Sequence, residues 1–438
     1  MLYQLSYTPT AVYYLILPYK SLKMKLYDKI KKMKILMLGW ELPPHNSGGL
    51  GVACLNMARA LSKEGTSIEF VVPYKAKHKN VNFMKIIPAT NLEPIYKYGE
   101  GAYESEKIFD KIIPTNDEKM ISMREIQKEY CDFTEKYIKA HKPDLIHAHD
   151  WLTYEAGILA KKKLNVPLIA HVHATEFDRA GMNHGNPLIH EIEHEGLMMA
   201  DKIIAVSEIT KRIIHEKYHI PLSKIEVVYN SLDEDYKNIP YALDKDLYDY
   251  INSLKDDDHT IVSTVGRFTV QKGLKNLLKS AKLAIEKNPK LIFILAGDGE
   301  ERNELVSLSA KLGIAKNVIF TGFIRGKKLR DIYTLTDIFV MSSISEPFGL
   351  TALESAHHGN ALILTKQSGV SEIIWSALKY DFWDCKKLAE EILAIAENEP
   401  LEKTLKTNIK NEYNKISWEK VAKKCLKIYN DTVKHKKN

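Results

Sequence analysis

The sequence predicts an α/β protein of two doubly wound domains facing each other across a cleft. Three observations predict it. At 438 residues the chain exceeds what one ordinary core organises. From Met33 onward, short apolar runs alternate with amphipathic helical stretches, the pattern of a parallel sheet wrapped by helices. A polar, acidic stretch then divides these runs into two series.

The first domain is expected over residues 33–235, with strands "KILMLGW", "IEFVVPY", "DLIHAHD", "PLIAHVH", "KIIAVS" and "KIEVVYN". Residues 236–259 are expected to be a linker with little capacity to build a core. The second domain, 260–404, carries "TIVSTVG", "LIFILAG", "NVIFTGF", "IFVMSS" and "ALILT". Residues 405–438 form a closing helix and tail. Trp418, Val421, Ala422, Cys425, Leu426 and Tyr429 recur there at helical spacing, so that helix is expected to pack back on the assembly. Ligands bind beyond the C-terminal ends of parallel strands, which makes the cleft the default site.

The formal charge of +7 does not indicate a nucleic-acid partner, because its position is local. Lys20, Lys23, Lys25, Lys29, Lys31 and Lys32 stand against Asp28 alone in the leading segment. The rest of the chain is nearly balanced. Residues 1–32 are expected to be a disordered extension ahead of a true start at Met33 or Met24. Their apolar run, Ala11 to Leu17, is far short of the ~20 residues that span a bilayer. Membrane contact is expected, if anywhere, only through this basic segment. Cys54, Cys131, Cys385 and Cys425 form no C-x-x-C pair and suggest reduced thiols in a cytoplasm.

Three stretches carry chemistry. "SGGLG", with Gly48 and Gly49, links the first strand to an amphipathic stretch. It fails the dinucleotide fingerprint, because Cys54 stands where the third glycine belongs, and it lacks the Gly-Lys-Ser/Thr of a P-loop. "VGRFTVQKG" sets Arg267 and Lys272 in a loop between strand and helix. That is a diphosphate clamp in principle, although such a pair taken alone is commonly a solvated surface. "EPFGLTALE" separates Glu346 and Glu354 by seven residues, which two i,i+4 steps would bring to one side. Carboxylates there accept from ribose or sugar hydroxyls, and the amides of Phe348, Gly349 and Leu350 favour an anion or hydroxyl-rich ligand. A capping carboxylate plus a solvated glutamate explains the spacing equally well.

Together with "HAHDW", "HVHATEFDRAG" and "ADKIIAVSEIT", these motifs in this order resemble the retaining GT-B glycosyltransferases of family GT4, and within them the glycogen/starch-synthase-like branch. The resemblance spans roughly Met33 to Tyr429. It implies two Rossmann-like domains. It also implies that Arg267 and Lys272 bind the donor diphosphate, that Glu354 holds ribose, and that Glu346 lies by the transferred sugar. His173 would contact that sugar, Asp150 would line the acceptor side, and Gly48, Gly49, Phe348, Gly349 and Leu350 would approach the donor. The implied reaction moves a hexose, glucose by expectation, from ADP-glucose or UDP-glucose to the non-reducing end of an α-1,4-glucan. The implied alternative is a lipid or small-sugar acceptor. No cofactor and no metal are expected, since fixed cations and helix amides stabilise the leaving diphosphate. Two departures stand out. Asn46 replaces the lysine of classical bacterial glycogen synthases, and Asn230-Ser231 replaces the family's Asn-Gly turn.

Rival readings are weaker. "HEIEH" matches the zinc-metallopeptidase pattern H-E-x-x-H through His190, Glu191 and His194, with Glu216 downstream where a third ligand would be sought. Helical geometry puts Leu188, Ile192, Gly196 and Met199 on the packed face and both histidines on a solvated one. A nicotinamide enzyme needs an acid at the end of the second strand, where Pro73, Tyr74 and Lys75 stand. His147 and His149, with His171 and His173, could ligate metal, but no cysteine or carboxylate cluster completes a set by spacing, so one of each pair is expected to pack and one to line the cleft. A non-catalytic sugar binder would keep Arg267 and Lys272 without needing His173 and Glu346.

Overall fold

The structure, a computed structural model, describes residues 32–44, 48–78, 81–92, 112–114, 120–232 and 245–437. The expectations for residues 1–31 and for Asn46 lie outside them.

Two parallel sheets organise the chain. The first contains β1 (Lys34–Leu38), β2 (Ser67–Val72) and β3 (Lys85–Pro88). A separate antiparallel pair follows, β4 (Ile112–Pro114) and β5 (Met120–Ser122). The first sheet then resumes with β6 (Leu145–His149), β7 (Leu168–Val172), β8 (Lys202–Ala205) and β9 (Ile225–Val227). Its order is β3-β2-β1-β6-β7-β8-β9, so the crevice of reversed winding lies between β1 and β6. The second sheet contains β10 (Thr260–Val265), β11 (Leu291–Ala296), β12 (Val318–Gly322), β13 (Ile338–Met341), β14 (Ala361–Thr365) and β15 (Leu378–Tyr380). Its order is β12-β11-β10-β13-β14-β15, with the same reversal between β10 and β13. Strands β6, β7, β11, β13 and β14 are buried throughout, as near-continuous apolar runs in a covered parallel sheet should be. The short edge strands β3 and β15 give too little periodicity to be visible in the sequence.

The stretch expected to be linker is partly structural. Lys245–Asp256 is a helix, and its Ile251 is buried with Ile261, Ile292 and Ile294. Leu247, Tyr248, Ile251 and Leu254 form its inner stripe, hidden in the sequence by acidic residues on the outer face. Residue 404 falls inside the Glu399–Tyr413 helix, which buries Leu405, Ile409 and Tyr413 in the second core. The chain then crosses back. Trp418, Val421, Ala422, Cys425 and Tyr429 of the Trp418–Lys437 helix join the first core. That helix packs on Gly49–Lys63.

Candidate functional site

In the second half, β10 ends at Val265 and the chain turns through Gly266 and Arg267 into a 3-10 turn, Val270–Lys272. Gly273 has φ +61, and a Cβ there would lie 2.2 Å from the Ser342 carbonyl oxygen. Only glycine allows both that conformation and that approach. The two loops are then tied together. The Ser342 hydroxyl donates to the Lys272 carbonyl at 2.8 Å, and the Gln271 amide donates to the Ser345 carbonyl at 3.0 Å. Lys272 Nζ consequently lies 2.6 Å from Glu346 Oε2, and the Ser343 hydroxyl donates to the same oxygen at 2.9 Å. Gly266, Arg267, Lys272, Ser342, Ser343 and Glu346 line one small cleft. Arg267 is exposed at its rim.

Glu346 and Glu354 do not share a helix face. The helix begins at Leu350, after Gly349 at φ +111, and Glu346 sits before it in an extended segment bridged to Ser368. Helical spacing therefore does not govern the pair. The half-buried Glu354 accepts the Tyr333 hydroxyl at 2.7 Å, and desolvation pushes its pKa up to about 7. The Phe348 side chain packs in the second core, and its carbonyl accepts the Val370 N–H at 2.6 Å. Of the expected backbone contacts, Gly349 and Leu350 stand at the helix start, where the first amides lack intrahelical partners.

In the first half, Gly48 and Gly49 are exposed at the start of the Gly49–Lys63 helix. A Cβ on Gly48 would lie 2.8 Å from Glu41 Oε2, and one on Gly49 would lie 3.8 Å from Leu350 Cδ1. The first turn of one domain's helix thus meets the first turn of the other's. Two positive helix ends converge there, a setting suited to negative charge.

The four histidines do not divide into packed and cleft-lining members. His147, His149 and His171 are fully buried, and His173 is 7 % exposed. Their rings form a two-by-two array on β6 and the end of β7. His147 Nε2 lies 3.2 Å from His171 Nδ1, and His149 Nδ1 lies 3.1 Å from His173 Nε2. Tyr429 of the closing helix completes the first pair, its hydroxyl 2.7 Å from His147 Nδ1. Desolvation holds His147 and His173 down to about 3, so the array is neutral.

Asp150 does not line an acceptor surface. It is 2 % exposed, adopts φ 59, and directs Oδ1 onto the His173 N–H at 2.7 Å. Burial raises its carboxyl to about 7. Asp150 is thus placed to hold the end of β7, and with it His173.

Several site neighbours escaped the sequence reading. Arg179 is buried between Glu176 (2.9 Å) and Glu193 (2.5 Å), and donates to the Ala174 carbonyl at 3.1 Å, which fixes the segment after His173. Thr175 and Asp178 form a capping box, the one signal legible as a Thr-x-x-Asp spacing. Across the domain boundary, the Ser345 hydroxyl donates to Asp178 Oδ1 at 2.5 Å. Glu372 accepts the Glu208 and Ile209 N–H groups, both at 2.8 Å, and so caps a helix of the other half.

The peptidase pattern does not assemble. His190 is half-buried against Phe177, at 4.3 Å between ring centroids, with Nδ1 3.2 Å from the Tyr218 hydroxyl; it is not on a solvated face. Glu193 lies on the packed side and Leu188 is exposed, so the stripe is rotated from that expected. Among the described residues, His190 and His194 belong to no grouping with metal-ligating spacing. One such grouping does join a cysteine, Cys54, to His149 and His173, contrary to the expectation that no cysteine completes a set. No helix among the described residues is long and apolar enough to cross a membrane.

A paired cation and carboxylate at strand ends, facing opposed helix N-termini across two doubly wound domains, is the plan of a sugar-transfer enzyme. The chain belongs to the family 4 glycosyltransferases and has their GT-B architecture. The profile described as glycosyl transferases group 1 matches residues 250–412, and that of Glycosyltransferase Family 4 matches residues 129–236. An uncharacterized glycosyltransferase of Methanocaldococcus jannaschii is 26% identical over 91% of this chain and 98% of its own. A glycogen synthase of Mycobacterium tuberculosis is 23% identical over 78% of this chain and 80% of its own. Among solved structures, HepE of Anabaena in complex with UDP and glucose superposes with TM-score 0.67, at 17% identity, over 91% of this chain and 100% of that one.

Proposed function

We propose that this glycosyltransferase retains anomeric configuration and moves glucose from a nucleotide diphosphate sugar to the non-reducing end of an α-1,4-glucan. The observation that carries the reading is the Lys272–Glu346 pair, 2.6 Å apart in a cleft that also holds Arg267. A lysine ammonium has three donors. One is held by Glu346, which leaves the others for a diphosphate, while Arg267 supplies a planar fork at the rim. Charge that develops on the leaving nucleotide meets these cations and the amides at Leu350 and Gly49, so the chain's own groups supply the stabilisation without a metal. Glu354 receives ribose hydroxyls, Glu346 and His173 receive the sugar, and Asp150 holds His173 in place. The HepE complex supports a nucleotide-sugar donor, and the glycogen synthase relative supports a glucan acceptor.

A screen of ADP-glucose and UDP-glucose against glycogen, maltooligosaccharides and lipid acceptors, with and without EDTA, tests the proposal. Glucan elongation that persists in EDTA is expected. Incorporation into lipid alone would refute the glucan acceptor, and strict dependence on an added divalent ion would refute the metal-free stabilisation.

A further inference from the structure

Beneath the start of the Gly49–Lys63 helix, Cys54 Sγ, a nitrogen of His149 and a nitrogen of His173 lie within 4.8 Å of one another, and all three residues are buried. His149 Nδ1 and His173 Nε2 are 3.1 Å apart. That is a hydrogen-bond length, but it is also close to the edge of a coordination tetrahedron. With Zn–N near 2.0–2.1 Å and Zn–S near 2.3 Å, two nitrogens stand about 3.3 Å apart and nitrogen from sulfur about 3.6 Å.

The charge around the cluster also fits a cation. Asp150 and Glu41 are acidic neighbours of Cys54. A divalent ion displaces the thiol proton and, bound to the thiolate, keeps one net positive charge beside these acids. Thiolate plus imidazoles selects a zinc-class ion, whereas calcium and magnesium require oxygen ligands. The neighbouring grouping of His147, His149 and His171 is the poorer host. Both nitrogens of His147 are already engaged, by Tyr429 and His171, and that set offers no anionic ligand.

We propose that Cys54, His149 and His173 form a buried site for a thiophilic divalent cation, and that its occupation silences the histidine assigned to the sugar. The second half of this statement rests on the proposed transfer reaction; the first half does not. Of the three, only His173 has any exposure, 7 %, and an ion held there occupies the ring assigned to the sugar, so it inhibits rather than serves transfer.

The test is a cobalt titration of the whole enzyme, reduced with a phosphine, followed by absorbance. Stoichiometric growth of a thiolate-to-cobalt charge-transfer band is expected, together with tetrahedral visible bands. The band should vanish in Cys54→Ser and survive in Cys131→Ser and His190→Ala. Cys54→Ala replaces the serine variant if circular dichroism shows that the latter is unfolded. Absence of the band in wild type overturns the site, as does its persistence without Cys54, or visible bands with no charge-transfer band. Chelator-reversible zinc inhibition of transfer, weakened roughly tenfold or more in the Cys54 variant, is then expected. If the cobalt band behaves as stated and no transfer is found with any donor, the functional reading fails and the metal site stands.

Discussion

The hydroxyl of Ser345 donates to Oδ1 of Asp178 across 2.5 Å and across the boundary between the two domains. Ser345 directly precedes Glu346, and Asp178 lies five residues beyond His173. One hydrogen bond therefore couples the loop that holds the cation–carboxylate pair to the loop that follows the array. Ser345→Ala leaves a buried carboxylate oxygen short of a partner, at a cost of about 1.5–3 kcal/mol. A lower Tm and a donor KM raised several-fold are expected, read by thermal melts and steady-state kinetics. Unchanged values for both would remove the coupling.

Lys272→Ala and Glu346→Ala each should lower kcat by roughly 10²–10³-fold, the scale for losing one preorganised charge partner. Both side chains are only partly buried, so circular dichroism and Tm should stay near wild type. Full activity in either variant would sink the site assignment.

Glu354 titrates near pH 7, where ribose binding needs the ionised, acceptor-only form. Donor KM should rise as pH drops from 8 to 6, and Glu354→Gln should raise it at every pH and flatten the profile. Removing the Tyr333 hydroxyl with phenylalanine takes away a hydrogen bond that favours ionisation, so the inflection should move upward.

The buried histidines contribute to the pH dependence of stability. His147 and His173 fall to about 3, and His149 and His171 are held well below 6.5, all chiefly by desolvation. Below pH 6.5 the unfolded chain takes up protons that the folded chain refuses, so stability is lost as pH falls from 6.5 toward 3. Each histidine contributes about 1.4 kcal/mol per pH unit in that window. Asp150 and Glu354, raised to about 7, act in the opposite sense, since the folded chain keeps protons on them between pH ~4 and 7. His358, lowered by burial to about 4, adds to the histidine side, and Asp178, Glu193 and Glu391, raised by burial, add to the carboxyl side, so the histidine contribution is read from its own variant. His171→Leu should flatten the Tm-against-pH slope between 6.5 and 4.5, whatever its stability at pH 7.5.

A methyl group at Gly369 would lie 2.2 Å from the Pro347 carbonyl oxygen and 2.6 Å from Ser207 Cβ, which belongs to the opposite domain. Gly369→Ala should force the halves apart, at about 1–3 kcal/mol. A larger radius of gyration in small-angle scattering, with a raised donor KM, is the expected outcome.

The two-sheet architecture was legible because parallel strands buried on both faces are long apolar runs, and nearly all of them stood out. The Lys245–Asp256 helix did not, since one buried isoleucine among acids looks like linker. Arg267, Lys272 and Glu346 were legible as motifs, and the structure gathers them in one cleft. Asp150 was misplaced because its positive φ, which turns the carboxylate inward, leaves no trace in residue order. Cys54 and His149 are 95 positions apart, and Ser345 and Asp178 are 167; tertiary pairings of that kind carry no local periodicity.

Tyr429 touches His147 from 282 residues away, on a helix that finishes the core begun by β1. On the ribosome, the first sheet therefore emerges long before the side chain that seals its imidazole array. The amino-terminal half must wait with that face uncovered while the whole second half is made. Truncation before Trp418 should accordingly yield a chain that binds a hydrophobic dye and is held by chaperones, although every motif of the transfer site is present.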